Sequence, residues 1–421
     1  MIKKNFLLLS ITAFVYLSFF LGYFLQENSA GGGAIDFDHI SNNILLFNQN
    51  NFLEIDWSKY ESTSLPIYYL IIKSLNISNF FTIGLFNMFI SLSSVLIFFK
   101  ILSNISRKYS LKTDSVVLFS ISSLPLLSPY FRTSTFWMLE ENIGYLFMLL
   151  SIFFLTRQKT YLNIFCCIIF SSLAFYSRQS YAFLPLIIFF NFINFKKLLT
   201  YKNIFIINSF LIFLLPSLYF FKEWGGLVPP AAIIDRPIEF NFINLPIIFS
   251  ICFFYLIPFL IIENKKNLWN FISDNKYIIF LSLIFFYLIF FDKINTEQVY
   301  YKFKLGGGLI YKINFHLNLL IKNFFIQKIF FIFISWIGLL SIAFYFLRSL
   351  NLKIFFLVFI IIFSNANIVF QEYFDPMITI LMILFYKAID PKCNFKKLYF
   401  ILFGYKSILL LSCLTYYYRF V

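Results

Sequence analysis

Charge is scarce in this chain. Only 13% of its 421 residues are Asp, Glu, Lys or Arg, against about 25% in a soluble domain. Acidic residues are the scarcer sign, 19 against 34 basic, and there are two histidines, His39 and His316. A chain this poor in charge has no water-soluble surface to offer, which argues against a soluble enzyme or scaffold. The five cysteines, Cys166, Cys167, Cys252, Cys393 and Cys413, lack metal-ligand spacing and do not read as a disulfide framework. Three signatures are missing: the GxxxxGK[ST] phosphate loop, HExxH and GxSxG. The Gly306-Gly307-Gly308 run is too bare for a nucleotide motif, so nothing supports a nucleotide-driven pump. No internal repeat of the inverted-repeat transporter kind and no low-complexity linker appear. Residues 1–421 therefore read as one transmembrane domain with no appended soluble domain.

What is present is apolar. Hydrophobic residues make up 60% of the chain, mean hydropathy is +0.82, and lipid must be the solvent. Apolar runs cover 5–25, 80–100, 114–131, 141–156, 161–176, 179–195, 203–221, 243–262, 277–291, 328–347, 353–370, 373–389 and 398–417. The expected fold is an all-α polytopic integral membrane protein of about 13 transmembrane helices, at roughly 20 residues per straight span. Shorter runs must borrow interfacial Tyr, Trp and Lys. The run after Lys3 and Lys4 is long for a signal core and reads as a retained first helix, with a cleaved signal as the other reading.

The formal net charge of +15 would suggest nucleic acid in a soluble protein. Here it follows from cytoplasmic loops. With Lys3 and Lys4 inside and the runs alternating, about 20 of the 34 basic residues fall on one side. The first outer loop is acidic, with Glu27, Asp36, Asp38, Glu54, Asp56 and Glu61 against Lys59. The outer loop 292–327 breaks the rule with Lys293, Lys302, Lys304, Lys312 and Lys322. No nucleic-acid partner is implied.

Four polar clusters fall on the predicted outer face, which suggests a common cavity. In the first, the glycines Gly31, Gly32 and Gly33 lead into Asp36, Asp38 and His39. A helix starting near Ile35 would put Asp36 and His39 on one face at i and i+3. The apolar stripe Ile40, Ile44 and Phe47 would lay that helix on the bilayer surface, and Pro66 suits the first turn of a second interfacial helix. The second cluster is Glu140-Glu141, costly at a lipid interface unless solvated, paired or used. It can also be read as charge complementing a helix dipole. The third is Arg178-Gln179-Ser180, with Arg178 an anion ligand or a snorkelling anchor. The fourth is Gln371-Glu372-Tyr373-Phe374-Asp375-Pro376.

The order of these features resembles the GT-C superfamily of membrane glycosyltransferases. These share a first helix, an acidic outer loop with interfacial helices, a Pro-aromatic segment (here Pro66-Ile67-Tyr68-Tyr69-Leu70) and a second acidic motif where the fourth helix begins. Asp36 and Asp38 match the first motif, Glu140 and Glu141 the second. Arg178-Gln179-Ser180, and Glu372-Tyr373 with Pro376, are similar to segments of the ER α-1,2-glucosyltransferase of lipid-linked oligosaccharide assembly. Many relatives append a soluble periplasmic domain, which the residues after the last apolar run do not supply. The acid-to-histidine spacing also differs from the ER enzyme, leaving open whether Asp36 or Asp38 is the base.

The resemblance implies transfer of a hexose or pentose from a polyprenyl-phosphate donor to a glycan, polysaccharide or protein acceptor. The site would face the periplasm or exterior of a bacterial inner membrane. Asp36, Asp38 and His39 would be catalytic. Glu140, Glu141, Arg178, Gln179, Lys302, Lys304, Glu372 and Tyr373 would bind substrate. A divalent metal, Mg or Mn, is optional, with Asp38, Glu140 and Glu141 as its oxygen ligands. The alternative is a flippase, polymerase or transporter of lipid-linked saccharides, which should place charges at mid-membrane.

Overall fold

The computed structural model describes residues 2–30, 33–111, 113–197, 199–227, 229–231, 242, 244–263, 265–291, 323–346, 358, 360–361, 371–388 and 395–418. Among these there is no strand. The helices are α1 (Ile2–Phe24), α2 (Gly33–Gln49), α3 (Ile67–Ser74), α4 (Phe80–Lys108), α5 (Ser115–Ser122), α6 (Pro129–Phe136), α7 (Glu141–Thr156), α8 (Tyr161–Ser177), α9 (Phe183–Phe192) and α10 (Tyr201–Trp224). They continue with α11 (Asn244–Ile262), α12 (Lys265–Asp274), α13 (Lys276–Phe290), α14 (Phe324–Phe346), α15 (Gln371–Ala388) and α16 (Phe395–Tyr418).

Six helices among the described residues are long and apolar enough to cross a membrane, carried by α1, α4, α10, α11, α14 and α16. Two more pairs, α6 with α7 and α12 with α13, pass only as bent units, turned by 115° and 77°, for up to eight spans. Such helices are compatible with an integral membrane protein. Among the described residues the expected count of about 13 is not confirmed, and run length ignores breaks. The run 114–131 contains Pro125 and Pro129, which cannot donate a backbone hydrogen bond, and it folds as α5, a 3₁₀ turn at Leu124–Leu127 and the start of α6. The run 179–195 opens on a 3₁₀ turn and yields only the ten-residue α9. The run 353–370 lies almost wholly outside the described residues.

Where the sequence offers no linker, the chain packs as two compact units. The first holds 1–108, 114–237 and 406–421, and the second 109–113 and 238–405. In the first, α7 packs between α4 and α8, α8 also meets α10, and α1 lies against α5 and α6. Thr160 and Thr200 cap α8 and α10 by accepting from the amides of Asn163 and Asn203. Gly225, at φ +67°, closes α10 in the left-handed conformation. In the second unit, α11 packs against α14 and α15. A Cβ at Gly338 of α14 would overlap the Phe249 carbonyl, so glycine permits the close approach.

The segment between α1 and α4 is more folded than an amphipathic surface helix. The stripe Ile40, Ile44 and Phe47 of α2 is buried in protein, with Trp57, Tyr60 and Tyr69 of the loop and α3 and with Trp224 of α10. Tyr60 stacks on Trp224 at 6.1 Å between centroids. The aromatic side chains thus take the place expected for lipid. Pro66 caps α3, close to its expected position.

Candidate functional site

The site grows from a sharp bend. Helices α6 and α7 meet across residues 137–140, where Met138 has φ +58° although it is not glycine. Three hydrogen bonds hold this turn. The Leu139 amide donates to the Ser134 carbonyl at 2.9 Å. The Tyr68 hydroxyl donates to the Met138 carbonyl at 2.9 Å, and the Asn87 amide to the Leu139 carbonyl at 3.0 Å. Tyr68 belongs to α3 and Asn87 to α4, so these two helices together set where Glu140 and Glu141 stand. Backbone strain of this kind persists when its surroundings over-determine it.

Glu140 lies in the bend, ahead of the first residue of α7. Its Oε1 accepts from the Ser62 hydroxyl at 2.6 Å, and its Oε2 is buried with no partner in good hydrogen-bond geometry, beside the Ser64 and Tyr69 hydroxyls. The residue is 7% exposed. Burial, and secondarily the charge of Glu141, push its carboxyl above the usual range, with the Ser62 hydrogen bond acting the other way. Burial and then the Glu140 charge likewise raise the phenols of Tyr60 and Tyr69. Glu141 is engaged: its Oε1 lies 3.0 Å from Arg178 Nη1, and its Oε2 accepts from the Ser134 hydroxyl at 3.2 Å. Arg178 follows the last residue of α8 in extended backbone, which turns its side chain to α7.

The helix α2 starts at Gly33, so Asp36 and His39 do share a face at i and i+3. The nearest acid to the imidazole is nonetheless Glu61: His39 Nδ1 lies 2.8 Å from Glu61 Oε2. The Asn42 side chain also donates to Glu61, at 3.4 Å, and the Glu61 amide donates to Asn43 Oδ1 at 3.1 Å. The next residue, Ser62, donates to Glu140 from the same strip of loop. Three of the four clusters are therefore connected: His39 through Glu61 and Ser62 to Glu140, and Glu141 to Arg178.

The remaining candidates fall elsewhere. Asp36 is half-buried and Asp38 exposed, both in the first two turns of α2. The Gln179 amide donates to the Leu227 carbonyl. Lys302 and Lys304 lie outside the described residues, as do the side chains of Glu372 and Tyr373 at the start of α15. Among the described residues no three His, Cys, Asp or Glu side chains converge as a metal ion requires. Asp38, Glu140 and Glu141 thus do not form the expected ligand set, and Glu141 faces Arg178 instead.

Sequence reading counted Glu61 and Glu27 only as loop charges and passed over Ser62, Arg132 and the buried ion pair that Arg132 makes with Glu27. Arg132 of α6 donates from Nε to Glu27 Oε1 at 2.8 Å and from Nη2 to Glu27 Oε2 at 2.5 Å. Both side chains are essentially inaccessible, at 1% and 0%. The Glu27 carbonyl accepts from the Trp137 indole at 3.1 Å, so the pair pins the end of α1 to the bend. An arginine beside an apolar run was the available signal. Lys406 is a second surprise. It is fully buried, donating to the hydroxyls of Thr12 at 2.9 Å and Ser123 at 2.7 Å. Compared with known proteins, the chain matches no family model, no curated protein and no solved structure.

Proposed function

We propose that the chain is a GT-C-type glycosyltransferase. It would move a sugar from a polyprenyl-phosphate donor to a hydroxyl of a glycan, polysaccharide or protein acceptor at the outer face of a bacterial inner membrane. The observation that carries this reading is Glu140, a buried carboxylate with one oxygen on Ser62 and the other with no partner in good hydrogen-bond geometry. A buried polar atom calls for a partner, and an acceptor hydroxyl is a suitable one. A carboxyl held above its usual range is also the stronger base.

In this reaction the carboxylate takes the acceptor's proton. The acceptor oxygen bonds to the anomeric carbon as that carbon's bond to the phosphate oxygen breaks. The polyprenyl phosphate leaves with the bonding electrons, and the Arg178 guanidinium stabilises its charge through paired hydrogen bonds. Glu141 orients Arg178 before the donor arrives. The His39–Glu61 pair holds the strip of loop that carries Ser62. Asp36 and Asp38 remain candidate bases by resemblance, and Glu140 joins them on geometry. Lys302, Lys304, Gln179, Glu372 and Tyr373 are donor contacts by sequence alone. No step is assigned to a metal ion, since Asp38 does not gather with Glu140 and Glu141.

One observation favours the second reading, a flippase, polymerase or transporter of lipid-linked saccharides. Lys406 is an ionisable group buried inside a spanning segment, where such groups often mark transport pathways. The deciding experiment is sugar transfer by purified protein from a synthetic polyprenyl-phosphate sugar. Glu140→Gln keeps the shape and should lower the rate by about 10² to 10⁴. Wild-type transfer by a folded Glu140→Gln removes Glu140 from the reaction. Absence of transfer in the wild type, with movement of the lipid between leaflets, moves the flippase reading ahead.

A further inference from the structure

The other end of α7 carries a different chemistry. A cavity of about 590 Å³ is lined by Asn104, Arg107 and Lys108 at the end of α4, Thr156 at the end of α7, Arg157 and Gln158 of the connector, and Asn163 in the first turn of α8. Three of these seven residues are cationic and none is acidic. Helix α7 runs 16 residues from Glu141 to Thr156, so at 1.5 Å per residue the cavity lies roughly 24 Å from the acidic site.

Its connector is pre-arranged. The Asn163 side chain donates to the Gln158 carbonyl at 2.8 Å, and the Asn163 amide donates to the Thr160 hydroxyl at 3.2 Å. The Arg157 guanidinium lies over the Phe153 ring at 4.3 Å. Such stacking leaves the in-plane N–H donors available for an oxyanion. The two residues before Asn163, Tyr161 and Leu162, expose 56% and 69% of their surface. An anionic head in the cavity would therefore have apolar surface beside it for a tail. Basic residues at helix C-termini can merely complement the dipole or obey the loop charge rule. The charge rule accounts for the three cations but not for the three side-chain amides that share their cavity.

We propose that this cavity seats the phosphate headgroup of an acidic phospholipid in the leaflet it faces. The site is separate from the transferase reading and stands or falls without it. The experiment is native mass spectrometry of the full-length protein in neutral detergent, with phosphatidylglycerol and phosphatidylcholine as probes. Arg107→Gln combined with Arg157→Gln should weaken phosphatidylglycerol retention about tenfold or more, the equivalent of one lost charge-assisted hydrogen bond. Phosphatidylcholine retention should not change. The control is Lys196→Gln with Lys197→Gln, on another exposed basic turn, and it should retain phosphatidylglycerol as the wild type does. Should the glutamine pair fail to fold, Arg107→Lys with Arg157→Lys keeps the charge but loses the two-donor fork, and it should still bind more weakly. Equal retention by the folded arginine variants overturns the proposal. So does an equal loss in the control, which would mean a diffuse positive face, or displacement of the lipid by excess inorganic phosphate, which would mean a free-phosphate site.

Discussion

Replacing Arg132 with Met tests the buried ion pair that pins the C-terminal end of α1 to the bend. Met keeps an unbranched apolar stem near Phe19 and Phe136, whose ring centroids lie 5.8 Å and 5.5 Å from the guanidinium carbon. The change removes two hydrogen bonds to Glu27 and leaves a carboxylate that is 0% exposed without its cation. It also frees the Ser18 and Leu126 carbonyls, which accept from Arg132 at 2.8 Å and 3.2 Å. Removing one partner of a buried pair costs about 3 to 5 kcal/mol. Removing both charges, as Glu27→Leu with Arg132→Met, leaves no uncompensated ion and often comes near neutral. The double variant should therefore be more stable than Arg132→Met alone. The assay is reversible unfolding of each variant in one detergent, read as a double-mutant cycle. A loss below about 1 kcal/mol for Arg132→Met, or a double variant no better than the single, refutes the claim that this pair is buried and coupled. Because Trp137 and Thr133 share the pinned region, Arg132→Met should also displace Glu140 and reduce transfer at temperatures where the protein stays folded.

Three further outcomes follow from the same geometry. Arg178→Lys should raise the Michaelis constant for the lipid donor, because lysine cannot reproduce two parallel hydrogen bonds to phosphate; an unchanged constant returns Arg178 to the role of helix anchor. If Glu140 is the base, its activity should fall off as pH drops through a value above the ordinary carboxylate range, since burial and Glu141 raise its carboxyl, and a limb at the ordinary range would point to Asp36 or Asp38, for which Asp36→Asn and Asp38→Asn are the companion measurements. Reporter fusions at Ser110 and Lys266 should report cytoplasm and at Asn50 and Ala231 the exterior; a cytoplasmic Asn50 would carry the acidic motifs inside and end the outer-face proposal.

The sequence by itself determined the solvent. With 60% hydrophobic and 13% charged residues, the composition points to lipid, and helix is the only open-chain way to satisfy backbone polar groups there. It also showed the acid-rich loop after the first apolar run, a helix there starting within two residues of Ile35, and a helix start at Pro66. Each of these depends on neighbouring residues along the chain. Span number did not follow, because hydropathy sums apolar residues without seeing where Pro125, Pro129 or a 3₁₀ turn interrupts the ladder. Only tertiary structure decided which charges meet. Glu27 and Arg132 are 105 residues apart and Ser62 and Glu140 are 78 apart, and nothing in local periodicity records such a separation. His39 pairs with Glu61 instead of simply serving Asp36, because Asn42 and Asn43 of α2 hold the Glu61 strand of loop against it. The burial that leaves one oxygen of Glu140 without a well-placed partner comes from α3, α4 and the loop closing over a bend, and a carboxylate reads the same in a sequence whether it is wet or enclosed.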